Sequence, residues 1–167
     1  MLREGGYVLV MRHTSSPREA PEPREADPRN VNRERELDDL GRAHATAVGY
    51  AFRALDVDIG VTMSSPTFRA IETLIYLGYK HPQVVDELAP GEENGEWLRR
   101  KAAEAPAEEG TNTLIVTHAP NISAAFGDAA DGVAEGETLV IDPRGGTAEV
   151  VGRITVKEWA VLAVEQT

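Results

Sequence analysis

The hydrophobic residues of this chain lie in short continuous runs, and three of these runs predict strands of a buried sheet. They lie at 7–11, 59–63 and 113–117, and each is largely aliphatic without strict alternation of apolar and polar positions. Runs of this kind are typical of strands that are buried on both faces, as in a mainly parallel sheet. A shorter apolar segment at 84–85 predicts a fourth strand.

Between these predicted strands, apolar residues recur at helical spacing. Asp38 or Asp39 can cap a helix that runs to about Leu55. Pro66 suits the first turn of a second helix, which Gly78 ends. Further predicted elements are a helix around Trp97 that ends at Gly110, a helix starting at Asn121, hairpin strands at 138–141 and 148–154, and a closing helix around Trp159. Asn121 could cap its helix or contact a substrate, and its residue type favours the cap. The order of strands and helices predicts one α/β domain over residues 1–167, with a mainly parallel sheet and an antiparallel edge.

The composition excludes several classes of chemistry and partner. The 167 residues include no cysteine, which excludes disulfides, thiolate catalysis and cysteine-based zinc sites. A formal net charge of −11 argues against nucleic acid or an anionic membrane as the main partner. The first apolar run is too short for a signal peptide or a membrane span, so we expect a cytoplasmic protein.

The segment from Ser15 to Glu36 contains four prolines and many charges but no apolar period. We interpret it as a long charged loop. Two roles are open: the loop closes over a substrate, with Arg18 or Arg24 near a leaving group, or its charges are merely solvated. Glutamates alternate with the arginines along it, which favours the second role.

Polar residues follow each of the three strong strands. Arg12 and His13 come after the first, Ser64 and Ser65 with nearby Arg69 after the second, and His118 after the third. The carboxyl ends of parallel strands meet at one edge of a sheet, where ligands bind in α/β proteins. Two imidazoles and two guanidinium groups there would form a cationic pocket suited to phosphate. A neutral imidazole could then attack phosphorus if its other nitrogen is held by an acceptor such as a backbone carbonyl.

At these positions the sequence resembles the histidine phosphatase superfamily, also called the phosphoglycerate-mutase-like fold. Segment 8–14 (VLVMRHT) resembles the "RHG" motif of this family, and segment 64–73 (SSPTFRAIET) resembles its "SSP-xx-RA-x-ET" motif. Segment 116–118 (VTH) resembles the second-histidine motif, and segment 35–43 (RELDDLGRA) resembles the "LT-xx-G-xx-QA" segment. The resemblance spans about residues 7–126 and implies a three-layer α/β/α fold. It also implies His13 as the nucleophile, Arg12 and Arg69 as phosphate ligands, and His118 as a further ligand that stabilises the transition state.

Two positions depart from the family pattern. Thr14 stands where the family usually has glycine, and we expect its hydroxyl to donate a hydrogen bond to phosphate. Ala119 stands where the acid-phosphatase branch has its general acid, an aspartate. The resemblance to the mutase-like branch makes Glu92, Glu93 and Glu96 the candidates for the acid. Some compact members have no evident proton donor, which suits substrates with good leaving groups such as phosphohistidine.

The sequence thus predicts a phosphomonoester hydrolase that forms a phosphohistidine on His13 and acts on a small phosphorylated metabolite or a phosphoprotein. No carboxylate and histidine cluster has metal-ligand spacing, so we expect neither a metal nor a cofactor. A non-catalytic phosphate-binding module and a phosphoglycerate-type mutase are the alternatives. The sequence does not predict the oligomeric state.

Overall fold

A six-stranded mixed sheet organises the protein, whose computed structural model describes residues 1–166. The strands are β1 (Val8–Arg12), β2 (Ile59–Ser64), β3 (Gln83–Val84), β4 (Asn112–Thr117), β5 (Thr138–Asp142) and β6 (Glu149–Ile154). They are arranged in the order β3-β2-β4-β1-β5-β6. The first four strands in that order are parallel, whereas β5 and β6 pair antiparallel at one edge.

Five helices cover the two faces of this sheet. They are α1 (Asp39–Ala54), α2 (Phe68–Leu77), α3 (Gly95–Ala102), α4 (Ala119–Phe126) and α5 (Val156–Glu165). Helix α1 packs against α2 and α5 on one face, and α3 packs against α4 on the other. Strand β1 contributes side chains to the apolar clusters on both faces of the sheet. Leu9 and Met11 belong to one cluster, and Val8 and Val10 belong to the other. The predicted three-layer α/β/α architecture with an antiparallel edge is confirmed.

Helix boundaries agree with the sequence where a cap defines them. Asp38 caps α1 by accepting the Gly41 N–H at 2.7 Å, and Gly78 ends α2 in the left-handed conformation at φ 110°. The prediction that the Trp97 helix extends to Gly110 is wrong, since α3 ends at Ala102. Pro106 explains the early end, because proline cannot continue the hydrogen-bond ladder of a helix.

Two predicted helix starts are also displaced. Helix α2 begins two residues after Pro66, with Thr67 at its N-cap. Helix α4 begins at Ala119 rather than at Asn121, because Pro120 occupies its first turn and His118 takes the N-cap position. No helix within residues 1–166 is long and apolar enough to cross a membrane.

Candidate active site

The carboxyl ends of β1, β4 and β2 bring the two predicted histidines together. These strands are neighbours in the sheet, with β4 in the centre, and His13 and His118 directly follow β1 and β4. The two ring centroids are 5.3 Å apart, and both side chains are buried. Residues separated by more than one hundred positions in the chain therefore share one small site.

His13 is held with one ring nitrogen free. Its Nδ1 lies 2.8 Å from the carbonyl oxygen of Thr14. A carbonyl only accepts, so Nδ1 carries the proton of the neutral ring and Nε2 keeps a lone pair. Burial lowers the pKa of His13 to about 4. The charges of Arg69, Arg12 and Arg35 also lower this pKa, whereas the hydrogen bond to the Thr14 carbonyl raises it. The ring is thus neutral at pH 7, the state that a nucleophile needs.

The tautomer of His118 follows from its partners. Arg69 Nη2 lies 3.3 Å from His118 Nδ1, and a guanidinium group only donates, so Nδ1 is unprotonated. The proton lies on Nε2, which is 2.8 Å from Ser65 Oγ and 3.3 Å from Thr67 Oγ1. Burial, followed by the charge of Arg69, lowers the pKa of His118 to about 2. His118 is therefore a neutral ring fixed by the segment that follows β2.

The two predicted phosphate ligands, Arg12 and Arg69, have no acidic partner. Neither forms an ion pair with a carboxylate of residues 1–166, and the Nε atom of each is buried without a hydrogen-bond partner. Arg12 uses Nη1 to bind the Val133 carbonyl at 2.9 Å. Burial and the nearby charge of Arg35 lower the pKa of Arg69. Half-buried cations whose buried donor atoms are unused provide a favourable site for an anion.

Comparison with known proteins identifies this architecture. No protein-family model and no curated protein matches the sequence. A SixA structure from Nakamurella multipartitia is 24% identical, with a TM-score of 0.58 over 96% of this chain and 91% of its own. A protein histidine phosphatase SixA complexed with tungstate is 17% identical, with a TM-score of 0.63 over 90% and 97%. A phosphoserine phosphatase from Entamoeba histolytica, in complex with 3-phosphoglyceric acid, is 12% identical, with a TM-score of 0.59 over 88% and 95%. The chain has the histidine phosphatase fold.

Thr14 uses its polar groups to join β1 to α2 within this histidine phosphatase fold. Its N–H lies 3.2 Å from Thr73 Oγ1, and its own hydroxyl is 3.4 Å from the same atom. Thr73 in turn donates to the Arg69 carbonyl at 2.8 Å. The side chain that replaces the usual glycine thus contacts α2, and its expected hydrogen bond to phosphate stays a prediction.

The glutamates proposed as general acid lie at the start of α3. Glu92 and Glu93 are exposed on a single 3₁₀ turn, Glu92–Asn94, and Glu96 is exposed on the helix itself. Within residues 1–166, no hydrogen bond or ion pair joins any of the three to His13 or His118. None of the three therefore contacts either histidine directly, and their role as proton donors stays a prediction.

Asn121 has a different role from the predicted helix cap. Its Oδ1 accepts the Gly91 N–H at 3.0 Å, and its Nδ2 donates to the Ala89 carbonyl at 2.8 Å. The side chain therefore fixes the Glu92–Asn94 turn to α4, immediately after His118. The capping prediction is wrong because α4 begins two residues earlier, which places Asn121 inside the helix.

The charged loop at 15–36 places one of its arginines, Arg35, close enough to the site to affect both histidines. Arg35 donates to the carbonyls of Pro17 and Ser16 at 2.7 and 3.1 Å, and its charge lowers the pKa of both histidines. Arg18 and Arg24 are exposed, as expected for solvated charges. Sequence reasoning missed Arg35 as a source of positive charge at the site, since nothing in the local pattern distinguishes it from its neighbours.

Glu135 is the second residue that sequence reasoning missed. Its Oε2 lies 3.9 Å from His13 Nδ1 and accepts the Ser16 N–H at 3.1 Å. The residue belongs to a loop before β5, far from every motif. Only the antiparallel pairing of β5 with β1 places that loop beside His13, so no local signal could have found it.

Proposed function

We propose that the protein is a metal-independent phosphomonoester hydrolase that works through a phosphohistidine on His13. The observation that carries this proposal is the contact that leaves Nε2 of His13 free, in which Nδ1 lies 2.8 Å from the Thr14 carbonyl oxygen. A neutral His13, with Nδ1 fixed on a backbone carbonyl, stands in a pocket whose two arginines have no acidic partner. The pocket provides both the nucleophile and the charge that phosphoryl transfer requires.

The reaction has two steps. Nε2 of His13 forms a bond to phosphorus while the phosphorus–oxygen ester bond breaks, and the leaving oxygen keeps the electron pair and takes a proton. Water then attacks phosphorus, the phosphorus–nitrogen bond breaks, and its electron pair returns to Nε2. Arg12, Arg69 and His118 bind the equatorial oxygens in both steps.

The substrate we propose is a small phosphorylated metabolite or a phosphorylated protein side chain, met in the cytoplasm. Similar folds include one solved with tungstate, a tetrahedral oxyanion, and one solved with a phosphorylated metabolite. These neighbours support a phosphate group as the recognised chemistry, and they do not select between the two substrate classes.

The decisive test is phosphate release from an aryl phosphate in the presence of EDTA. Wild type should turn over, and His13→Ala should be slower by about a thousandfold or more, as expected for loss of a covalent nucleophile. His81→Ala is the matched control, because His81 is exposed between α2 and β3. A strict metal requirement would overturn the mechanism. Phosphate binding without turnover would favour the alternative of a non-catalytic phosphate-binding module.

The proton donor can be tested with leaving groups of different acidity. If Glu92 or Glu93 is the general acid, Glu92→Gln or Glu93→Gln should slow the hydrolysis of an alkyl phosphate by about a hundredfold and spare that of an aryl phosphate. If both variants hydrolyse the alkyl ester as fast as wild type does, neither glutamate donates the proton.

A further inference from the structure

The turn that carries Glu135 is fixed to the backbone of the nucleophile. The N–H of Gly136 lies 3.0 Å from the carbonyl oxygens of both Arg12 and His13. Gly136 has a φ of +81°, and a Cβ at this position would lie 2.5 Å from Val156 Cγ2. Glycine is therefore required here, and the turn cannot move independently of His13.

A second set of contacts closes the same turn on its other side. Glu137 accepts the Ala134 N–H at 2.8 Å, and Arg153 from β6 binds its carboxylate at 2.7 and 3.0 Å. Glu135 lies between these two anchors. Its Cα position is consequently set by the backbone and by β6 rather than by its own side-chain contacts.

The Glu135 side chain reaches towards His13 from this rigid turn. Its Oε2 is 3.9 Å from His13 Nδ1 and 3.1 Å from the Ser16 N–H, and one third of the side chain is exposed. The carboxylate approaches Nδ1, opposite the nitrogen that would attack phosphorus. Glu135 is thus placed to act on the charge of the ring but not on the leaving group.

The charge of the His13 ring changes during the proposed reaction. Burial lowers the pKa of His13 to about 4, so at neutral pH the carboxylate faces an uncharged ring. Bond formation at Nε2 leaves the proton on Nδ1 and gives the phosphorylated ring a positive charge. An attraction that arises only as the phosphoenzyme forms lowers the barrier without strengthening substrate binding.

We propose that Glu135, held in place by the Ser16 N–H, is a positioning residue that acts through His13 by stabilising the positive charge of phospho-His13. This inference rests on the proposed function, because it requires a phosphohistidine. It assigns a role to a carboxylate that none of the sequence motifs includes.

The test is Glu135→Gln, assayed by pre-steady-state release of the alcohol from an aryl phosphate, which accompanies phosphorylation, and by phosphoenzyme labelling. Glutamine retains an acceptor for the Ser16 N–H but removes the charge. The phosphorylation rate should fall by about tenfold or more, while the inhibition constant for inorganic phosphate stays within about twofold of wild type. Asp128→Asn is the matched control, because it removes one exposed charge from the segment between α4 and β5.

A purely structural role would give a different result. Glu135→Gln would then phosphorylate at the wild-type rate, and only Glu135→Ala, which also removes the Ser16 acceptor, would be impaired. That pattern would overturn the inference and leave the proposed function intact. Absence of both turnover and labelling in wild type would instead overturn the proposed function and, with it, this role of Glu135.

Discussion

The arginines of the pocket and those of the surrounding structure differ in their partners. Arg42, on α1, contacts carboxylates of Glu36, Asp39 and Glu72 at 3.7, 3.2 and 3.2 Å. Arg12 and Arg69 contact no carboxylate within residues 1–166, and each keeps one buried donor atom unused. What distinguishes these two arginines from the exposed, unpaired ones is the buried donor atom that has no partner in the described part of the chain. We propose that an anion binds at this position.

The same contrast is present in the pKa values. Burial acts to lower the pKa of Arg42, but the neighbouring Glu72 raises it above the usual value. Burial and the charge of Arg35 lower the pKa of Arg69, and the opposing charge of Glu34 does not offset them. Arg42 therefore stabilises the fold, whereas Arg69 is held in an unfavourable setting that an anionic ligand would relieve. Such a division between stability and function is common at active sites.

Of the two arginine substitutions, the removal of Arg69 should give the larger effect on activity. Arg69→Met keeps the apolar stem but loses the charge, so turnover of an aryl phosphate should fall by about a hundredfold to a thousandfold. The free energy of unfolding should change little, because a half-buried charge without an acidic partner is removed while His118 Nδ1 loses its donor. Urea denaturation and phosphate release measure the two quantities. A marked loss of stability would contradict the comparison.

Removing Arg42 should give the opposite pattern. Glu72 is 1% exposed and would lose its cation, although the Leu37 N–H would remain bound to it at 2.8 Å. Because Arg42 itself is 30% exposed, we expect Arg42→Met to lower the free energy of unfolding by about 2 kcal/mol, below the full cost of breaking a buried pair. Turnover should stay close to that of wild type. Adding Glu72→Gln, which removes the orphaned charge, should recover part of the lost stability.

The sequence alone was sufficient to predict three of the strands and the cluster of polar side chains at their carboxyl ends. Continuous apolar runs predicted β1, β2 and β4, and the polar residues after them, His13 and His118, do meet at one edge. Contacts between distant loops were not predictable in this way. Arg35 and Glu135 approach the site only because their loops pack beside β1. Glu135 lies outside every motif, and Arg35 begins the 35–43 segment, whose resemblance assigns it no role.

Acid should destabilise the protein through the same buried pocket. A histidine whose pKa is lowered to about 4 binds fewer protons in the folded state than in the unfolded state between that value and the usual 6.5. Unfolding then takes up protons, so the free energy of unfolding falls as the pH falls through this window, by up to about 1.4 kcal/mol per pH unit for His13. Denaturation of wild type and His13→Asn at several pH values measures the slope. It should be smaller in the variant and unchanged in His81→Asn.

Anion binding should change the protonation of His118. In the ligand-free protein His118 Nδ1 accepts a hydrogen bond from Arg69, so the ring can donate from Nδ1 to a bound oxyanion only after it takes up a proton. A dianion nearby raises the pKa of this ring from its low value and favours that uptake. Sulfate is a suitable probe, because it stays fully ionised at neutral pH.

Calorimetry in buffers of different ionisation enthalpy measures the proton uptake. The His13→Asn background leaves His118 as the pocket histidine, and there sulfate binding at pH 6 should take up a fraction of a proton. His118→Gln in the same background should bind sulfate without uptake. If the two proteins take up protons equally, His118 stays neutral in the complex and Arg12 and Arg69 alone supply the positive charge. The contrast between paired and unpaired arginines would then suffice to explain recognition of the anion.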